Sequence, residues 1–155
     1  MEGDWKDKLK AIKIEDFAIT DEKLIPGRII ELELNRLDGL IIADQYESRI
    51  KYIIILGVDS DKYIYGNVLI NSNNYNFTDE MADHQYPINQ EDYTGLLDHK
   101  SYVDCSQIFE IDRTRLKKFG IDKGMINNSD FKDIVQIIST SDLITPKEKK
   151  KFNLE

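Results

Sequence analysis

Lys51-Tyr52-Ile53-Ile54-Ile55-Leu56-Gly57-Val58 is the stretch whose reading decides the fold. Successive side chains of a strand point to opposite faces, so an unbroken apolar run from Tyr52 to Leu56 buries both. That is the pattern of a strand at the centre of a packed core. Asp59-Ser60-Asp61 then reads as a turn, and Lys62 to Ile70 as the next strand, with aromatic and β-branched residues at Tyr63, Ile64, Tyr65, Val68 and Ile70.

Upstream, Ile30, Leu32 and Leu34 alternate with Glu31, Glu33 and Asn35, the period of a half-buried strand. Asp38-Gly39 is a hairpin-type dipeptide, which makes Leu40 to Ala43 the expected return strand. Pro26-Gly27 punctuates the chain, and Trp5, Leu9 and Ile12 have helical spacing. Downstream, Asn71 to Thr78 reads as loop, and Asp79 to Lys100 as an irregular acidic connection broken by Pro87 and Gly95. Ser101 to Ile111 is a further strand. Its alternation puts Val103, Cys105, Phe109 and Ile111 on one core-facing side and Tyr102, Asp104, Ser106 and Glu110 on the other.

The remainder is helical. Asp112 caps a short helix over 113–119, which Gly120 stops. Phe131, Ile134, Val135 and Ile138 form one apolar helix face, with an N-cap offered by Asn127-Asn128-Ser129. Thr145-Pro146-Lys147-Glu148 is a capping box that opens a last short helix, expected to bury little. Short strands followed by helices predict a mainly β fold, a small barrel or strongly curved sheet packed by C-terminal helices.

The chain has 155 residues, enough for one domain with a self-sufficient core. Hydrophobic residues make up 41% and charged residues 32%, too apolar for a disordered chain. No apolar run approaches the roughly 20 residues of a membrane-spanning helix, and residues 1–10 lack the apolar segment of a secretory signal. A lone cysteine, Cys105, suits a reducing compartment, so a cytoplasmic location is expected. The formal charge of -8 argues against a general nucleic-acid binder, since Lys and Arg supply most non-specific affinity; it leaves room for a local basic groove or a basic protein partner.

His84, His99 and Cys105 are the nitrogen and sulfur ligand candidates and show no ligand-pair spacing, so no metal is expected. The phosphate-loop, dinucleotide-binding and nucleophile-elbow patterns are absent, so no cofactor is expected either. Cys105, in phase with the core-facing row, reads as a buried structural thiol. What remains is polar residues at strand ends: Arg49 and Lys51 before the most buried strand, Asn71 and Ser72 after the next. If the two strands pair through the 59–61 turn, a cation, an amide and a hydroxyl converge at one end of the sheet. Such a grouping stabilises charge on a phosphate. The plainer alternative is solvated strand ends and turn-forming asparagines. Neither histidine falls in this set, so proton transfer there needs a group with a shifted pKa or the cation itself.

In these residues the chain resembles the PemK/MazF-like family, the toxin half of prokaryotic toxin–antitoxin pairs. The resemblance lies in Pro26-Gly27-Arg28-Ile29-Ile30, similar to the family's P-G-D-I-V strand, and in Lys51 to Gly57, similar to its R-P-A-V-V-L-S strand. It continues in Val68-Leu69-Ile70-Asn71-Ser72 and in Asp104-Cys105-Ser106-Gln107-Ile108-Phe109-Glu110-Ile111-Asp112, which fits D-x-x-Q-I-x-x-I-D. It implies an SH3-like barrel over residues 26–140, with a helical extension at 1–25 and a short basic helix or tail at 141–155. It also implies a homodimer, an antitoxin-like partner and metal-independent cleavage of single-stranded RNA. Carried over by position, Ser72 matches the family's hydroxyl, and either Arg49 or Lys51 matches its arginine; Tyr52 stands where the family has proline. Asn71, Asn73, Tyr102 and Asp104 are then the candidates for substrate binding, Asp104 also for a base.

Two functions follow from the sequence. One is a toxin-like endoribonuclease acting through Arg49 or Lys51 and Ser72. The other is a non-catalytic barrel that binds a protein partner or nucleic acid.

Overall fold

The run that opens the argument is the middle of a long strand, β2 (Ser48–Asp59), in a computed structural model that describes residues 19–72 and 82–155. It is flanked by β1 (Arg28–Asn35) and β3 (Ile64–Asn71). β4 (Gln85–Ile88) and β5 (Ser101–Asp112) follow, then α1 (Arg113–Phe119), β6 (Ile121–Met125), α2 (Asn128–Thr140) and α3 (Pro146–Lys151). The strands form one six-stranded sheet in the order β4-β5-β3-β2-β1-β6, and every pairing is antiparallel. The fold is therefore mainly β with a few helices, as expected.

Both faces of β2 are buried. Ile54 and Leu56 enter a first core with Val68, Ile70, Val103, Cys105 and the α2 residues Ile134 and Ile138. Ile53 and Ile55 enter a second core with Ile30, Leu32, Leu34, Leu69 and Leu116 of α1. The expected caps form: the side chains of Asp112, Asn127 and Thr145 accept from the backbone N–H of Arg115, Asp130 and Glu148.

Several expectations are corrected. Leu40 to Ala43 is not a strand: Arg36–Asp38 is a 3-10 turn capped by Asn35, ended by Gly39 at φ 98°, and β1 pairs directly with β2. Leu40 and Ile42 are buried and Ile41 is exposed, so the alternation belongs to a loop that plugs the second core. The 79–100 connection is not wholly irregular, because Gln85–Ile88 pairs with β5. Ile121–Met125 is a sixth strand, lying against β1.

The single face read for β5 is also corrected. The β3–β5 ladder shifts register between Asn67 and Leu69. Asn67, fully buried, donates from Nδ2 to the carbonyls of Tyr65 (3.0 Å) and Phe109 (3.1 Å) at this break. Across it the strand exchanges faces: Val103 and Cys105 enter the first core, Phe109 and Ile111 the second.

The C-terminal segment buries more than expected. Phe152 and Leu154 are 1% and 3% exposed and complete the first core. Phe152 lies over Gly57 and Gly66, which face each other across the β2–β3 ladder. The helix expected around Trp5 to Ile12 lies outside the described residues. No helix among the described residues is long and apolar enough to cross a membrane.

Candidate functional site

β2 and β3 pair antiparallel, with Tyr52 opposite Ile70 and Val58 opposite Tyr65, so the start of one strand lies beside the end of the other. Lys51 and Asn71 meet there: Lys51 Nζ donates to Asn71 Oδ1 at 3.0 Å. Arg49 and Lys51 continue the row of Ile53 and Ile55 beyond the second core, cross-strand from Leu34 and Leu32. Burial pushes the Lys51 ammonium below the usual lysine range, and the nearby charge of Arg49 pushes the same way. Arg49 itself is exposed, its guanidinium 5.0 Å from the centre of the Tyr46 ring.

Arg49, Lys51, Asn71 and Ser72 line a cavity of about 720 Å3. Its wall also includes Glu31, Gln90 and the loop carrying Leu96, Asp98 and His99. The same four residues also line an adjoining depression of about 320 Å3, with Asp104, Gln107, Leu40 and Ile41. The hairpin thus brings these four together, and Asp104 joins them in the smaller space. Asp104 is nearly buried, and its Oδ1 accepts from Gln85 Nε2 (3.0 Å) and from the Ser106 N–H (3.0 Å) and hydroxyl (2.5 Å). These bonds tie β4 to the part of β5 around Ser106, so Asp104 has a structural occupation beside any role in the depression. Tyr102 is cross-strand from Asn71 and carries Lys100 Nζ 5.8 Å from its ring centre; it is in neither lining. Asn73 lies outside the described residues.

Sequence reasoning missed His99. Its loop is pinned by Tyr93 and Leu97, both buried in the first core, and Ser101 Oγ donates to the His99 carbonyl at 3.3 Å. His99 Nδ1 contacts the Asp98 carboxylate, and the imidazole is about half exposed (52%), standing in the cavity wall. No spacing in the sequence signals this, because the loop folds back from beyond an irregular connection. The expectation that no histidine accompanies the cations is therefore corrected. Among the described residues, no group of three His, Cys, Asp or Glu side chains is placed to hold a metal ion.

In chemical terms, the site pairs one permanently charged guanidinium with one partly buried amine whose proton affinity is lowered, next to an amide and a hydroxyl. Such a set suits an oxyanion.

No family model matches the chain, and no curated protein matches it in sequence. Among solved structures the chain is similar to one in the crystal structure of MazE–MazF (form III) from Deinococcus radiodurans, at a TM-score of 0.51. The match covers 77% of this chain and 96% of that one, at 7% sequence identity. A likeness at that identity is one of architecture, and the six-stranded antiparallel sheet with its few helices is consistent with a MazF-like barrel fold.

Proposed function

We propose that this protein is a toxin–antitoxin-type endoribonuclease that cleaves single-stranded RNA without a metal ion, in the cavity at the open end of the β2–β3 hairpin. What carries the reading is the meeting of Lys51 and Asn71, with Arg49 and Ser72, in one cavity on a MazF-like fold. RNA brings its own nucleophile, the 2′-hydroxyl, so the protein's task is to hold the phosphate, neutralise it and move protons. Arg49 grips the non-bridging oxygens with its fork of donors. Lys51, its amine partly desolvated, takes the 2′-hydroxyl proton; Asn71 Oδ1 holds it in place. Ser72 hydrogen-bonds a phosphate oxygen. On this reading the fold works as a homodimer restrained by an antitoxin-like protein in the cytoplasm, over a barrel unit spanning residues 26–140.

The test is cleavage of an unstructured RNA by wild type, Arg49→Ala, Lys51→Ala and Ser72→Ala, each checked for intact folding by circular dichroism. Loss of Arg49 or Lys51 should slow cleavage by about 10²–10³-fold, as for removal of one donor to a developing oxyanion. Equal cutting by all four proteins would sink the assigned site.

One observation favours a second reading. Leu37, Ile41 and Ile50 are 97%, 95% and 66% exposed, and Ile41 and Ile50 border the two hollows. Apolar side chains rimming a groove suit a protein partner, so a module that only binds is the alternative. A silent wild type that captures a partner tightly would select it.

A further inference from the structure

We propose that His99 is a further catalytic residue of the cavity, the acid that protonates the departing 5′-oxygen of the cleaved RNA phosphodiester. This rests on the endoribonuclease reading above. The argument begins with the placement of the walls. Lys51 and Arg49 enter from the β2 end, whereas His99 enters on the loop before β5, and both line the same cavity of about 720 Å3. In-line displacement at phosphorus puts the attacking and leaving oxygens on opposite sides, so the base and the acid must approach from different directions. A site with its cations on one strand end supplies only one of these. The loop supplies the other.

The second part of the argument is orientation. The exposed Asp98 carboxylate contacts Nδ1 of the ring, so with Nδ1–H donating there, Nε2 is the nitrogen from which the imidazolium gives its proton to a ligand. A carboxylate that orients an imidazole in this way is a recurring arrangement at acid–base sites. The loop is itself anchored: Tyr93 and Leu97 are buried, and the Ser101 hydroxyl bonds the His99 carbonyl. The imidazole therefore stands on an anchored loop, about half exposed in the cavity wall.

The step balances as follows. The 2′-oxygen forms a bond to phosphorus and gives its proton to the Lys51 amine. The P–O5′ bond breaks, its electron pair stays on the 5′-oxygen, and the His99 imidazolium delivers a proton there. The products are a 2′,3′-cyclic phosphate and a 5′-hydroxyl, and solvent returns both side chains to their starting states. No oxidation or reduction occurs.

The experiment compares wild type and His99→Ala on two matched substrates. One is an ordinary RNA; the other carries sulfur in place of the bridging 5′-oxygen at the cleaved linkage, a leaving group that departs without protonation. On ordinary RNA, His99→Ala should be slower by about 10²–10⁴-fold. On the sulfur-bridged substrate it should approach the wild-type rate, which a merely structural role would not produce. His99 is half exposed, so the variant should fold, and circular dichroism checks this. Equal slowing on both substrates, or no slowing on either, overturns the role of His99 while leaving the endoribonuclease reading standing. A wild type that cuts neither substrate overturns that reading and this inference with it.

Discussion

The ring of Phe152 rests on Gly66: a Cβ built on Gly66 would lie 2.8 Å from the ring, and one on the facing Gly57 would lie 2.4 Å from the Phe152 carbonyl oxygen. The sheet is bare at these two positions because Phe152 fills the space, with its ring at Gly66 and its carbonyl at Gly57. Gly66→Ala should therefore cost about 1–3 kcal/mol by overpacking, and Phe152→Ala about 3–5 kcal/mol. Urea unfolding of both single variants and the double variant checks the contact. The double variant should lose less than the two single losses combined, because removing the ring makes room for the methyl.

Lys51→Arg separates charge from proton transfer. Arginine keeps the cation but holds its proton too tightly to act as a base. Cleavage by Lys51→Arg should therefore fall about as far as by Lys51→Ala, roughly 10²-fold or more. Full activity of the arginine variant would show that Lys51 contributes charge alone.

Cys105 should be inert in the native protein. It is fully buried in the first core, and burial, with the neighbouring Asp104 charge, pushes its thiol up to about 12. The thiolate is the reactive form. Labelling by a thiol reagent at pH 8 should be slow in buffer and rapid in denaturant. Comparable rates in the two conditions would contradict this placement.

Arg115 grips the Asp38 carboxylate with two guanidinium nitrogens, one of them at 2.8 Å, and closes the 36–38 turn against α1. The hydrogen bond from Arg115 is the largest influence on the Asp38 carboxyl and holds it below the usual carboxylate range, outweighing burial. A carboxyl with a depressed folded-state pKa stabilises the protein fully above its unfolded value, about 3.9, and that contribution is lost as pH falls through the lower folded value. Arg115→Ala should cost about 2 kcal/mol at pH 7. It should also flatten the fall of stability below about pH 4. Unfolding curves at pH 7, 4 and 3 measure both effects.

The parts legible in the sequence are those whose side chains alternate against a core. β1, β2 and β3 announce themselves because Ile30, Leu32 and Leu34 share one face and Tyr52 to Leu56 fill two. The meeting of Lys51 with Asn71 follows from the same register. β6 was missed because all five of its residues are exposed or half-buried, and Gly124 interrupts it. β4 was missed because it has four residues and contains Pro87, which only an edge strand tolerates. Leu40 to Ala43 misled in the opposite direction, since a loop that drops Leu40 and Ile42 into a core copies the strand period. The face exchange in β5 depends on the Asn67 amide bridging two carbonyls, a tertiary event without a local signature. His99 was hidden for a related reason: its position comes from buried anchors elsewhere in the loop.

The pairing of β1 with β6 has a kinetic consequence. Arg28 is matched with Met125, so β1 gains its outer neighbour only after nearly a hundred residues of intervening chain have been closed into a loop. The β1–β2–β3 meander is local and can form early; until the last partner arrives, β1 is a bare edge, open to pairing with another chain. Pulse-labelled hydrogen exchange during refolding should therefore protect the amides of Ile53 and Val68 before those of 121–125. The exposed Lys123 of β6 then sits on the finished border as its guard against further strand addition.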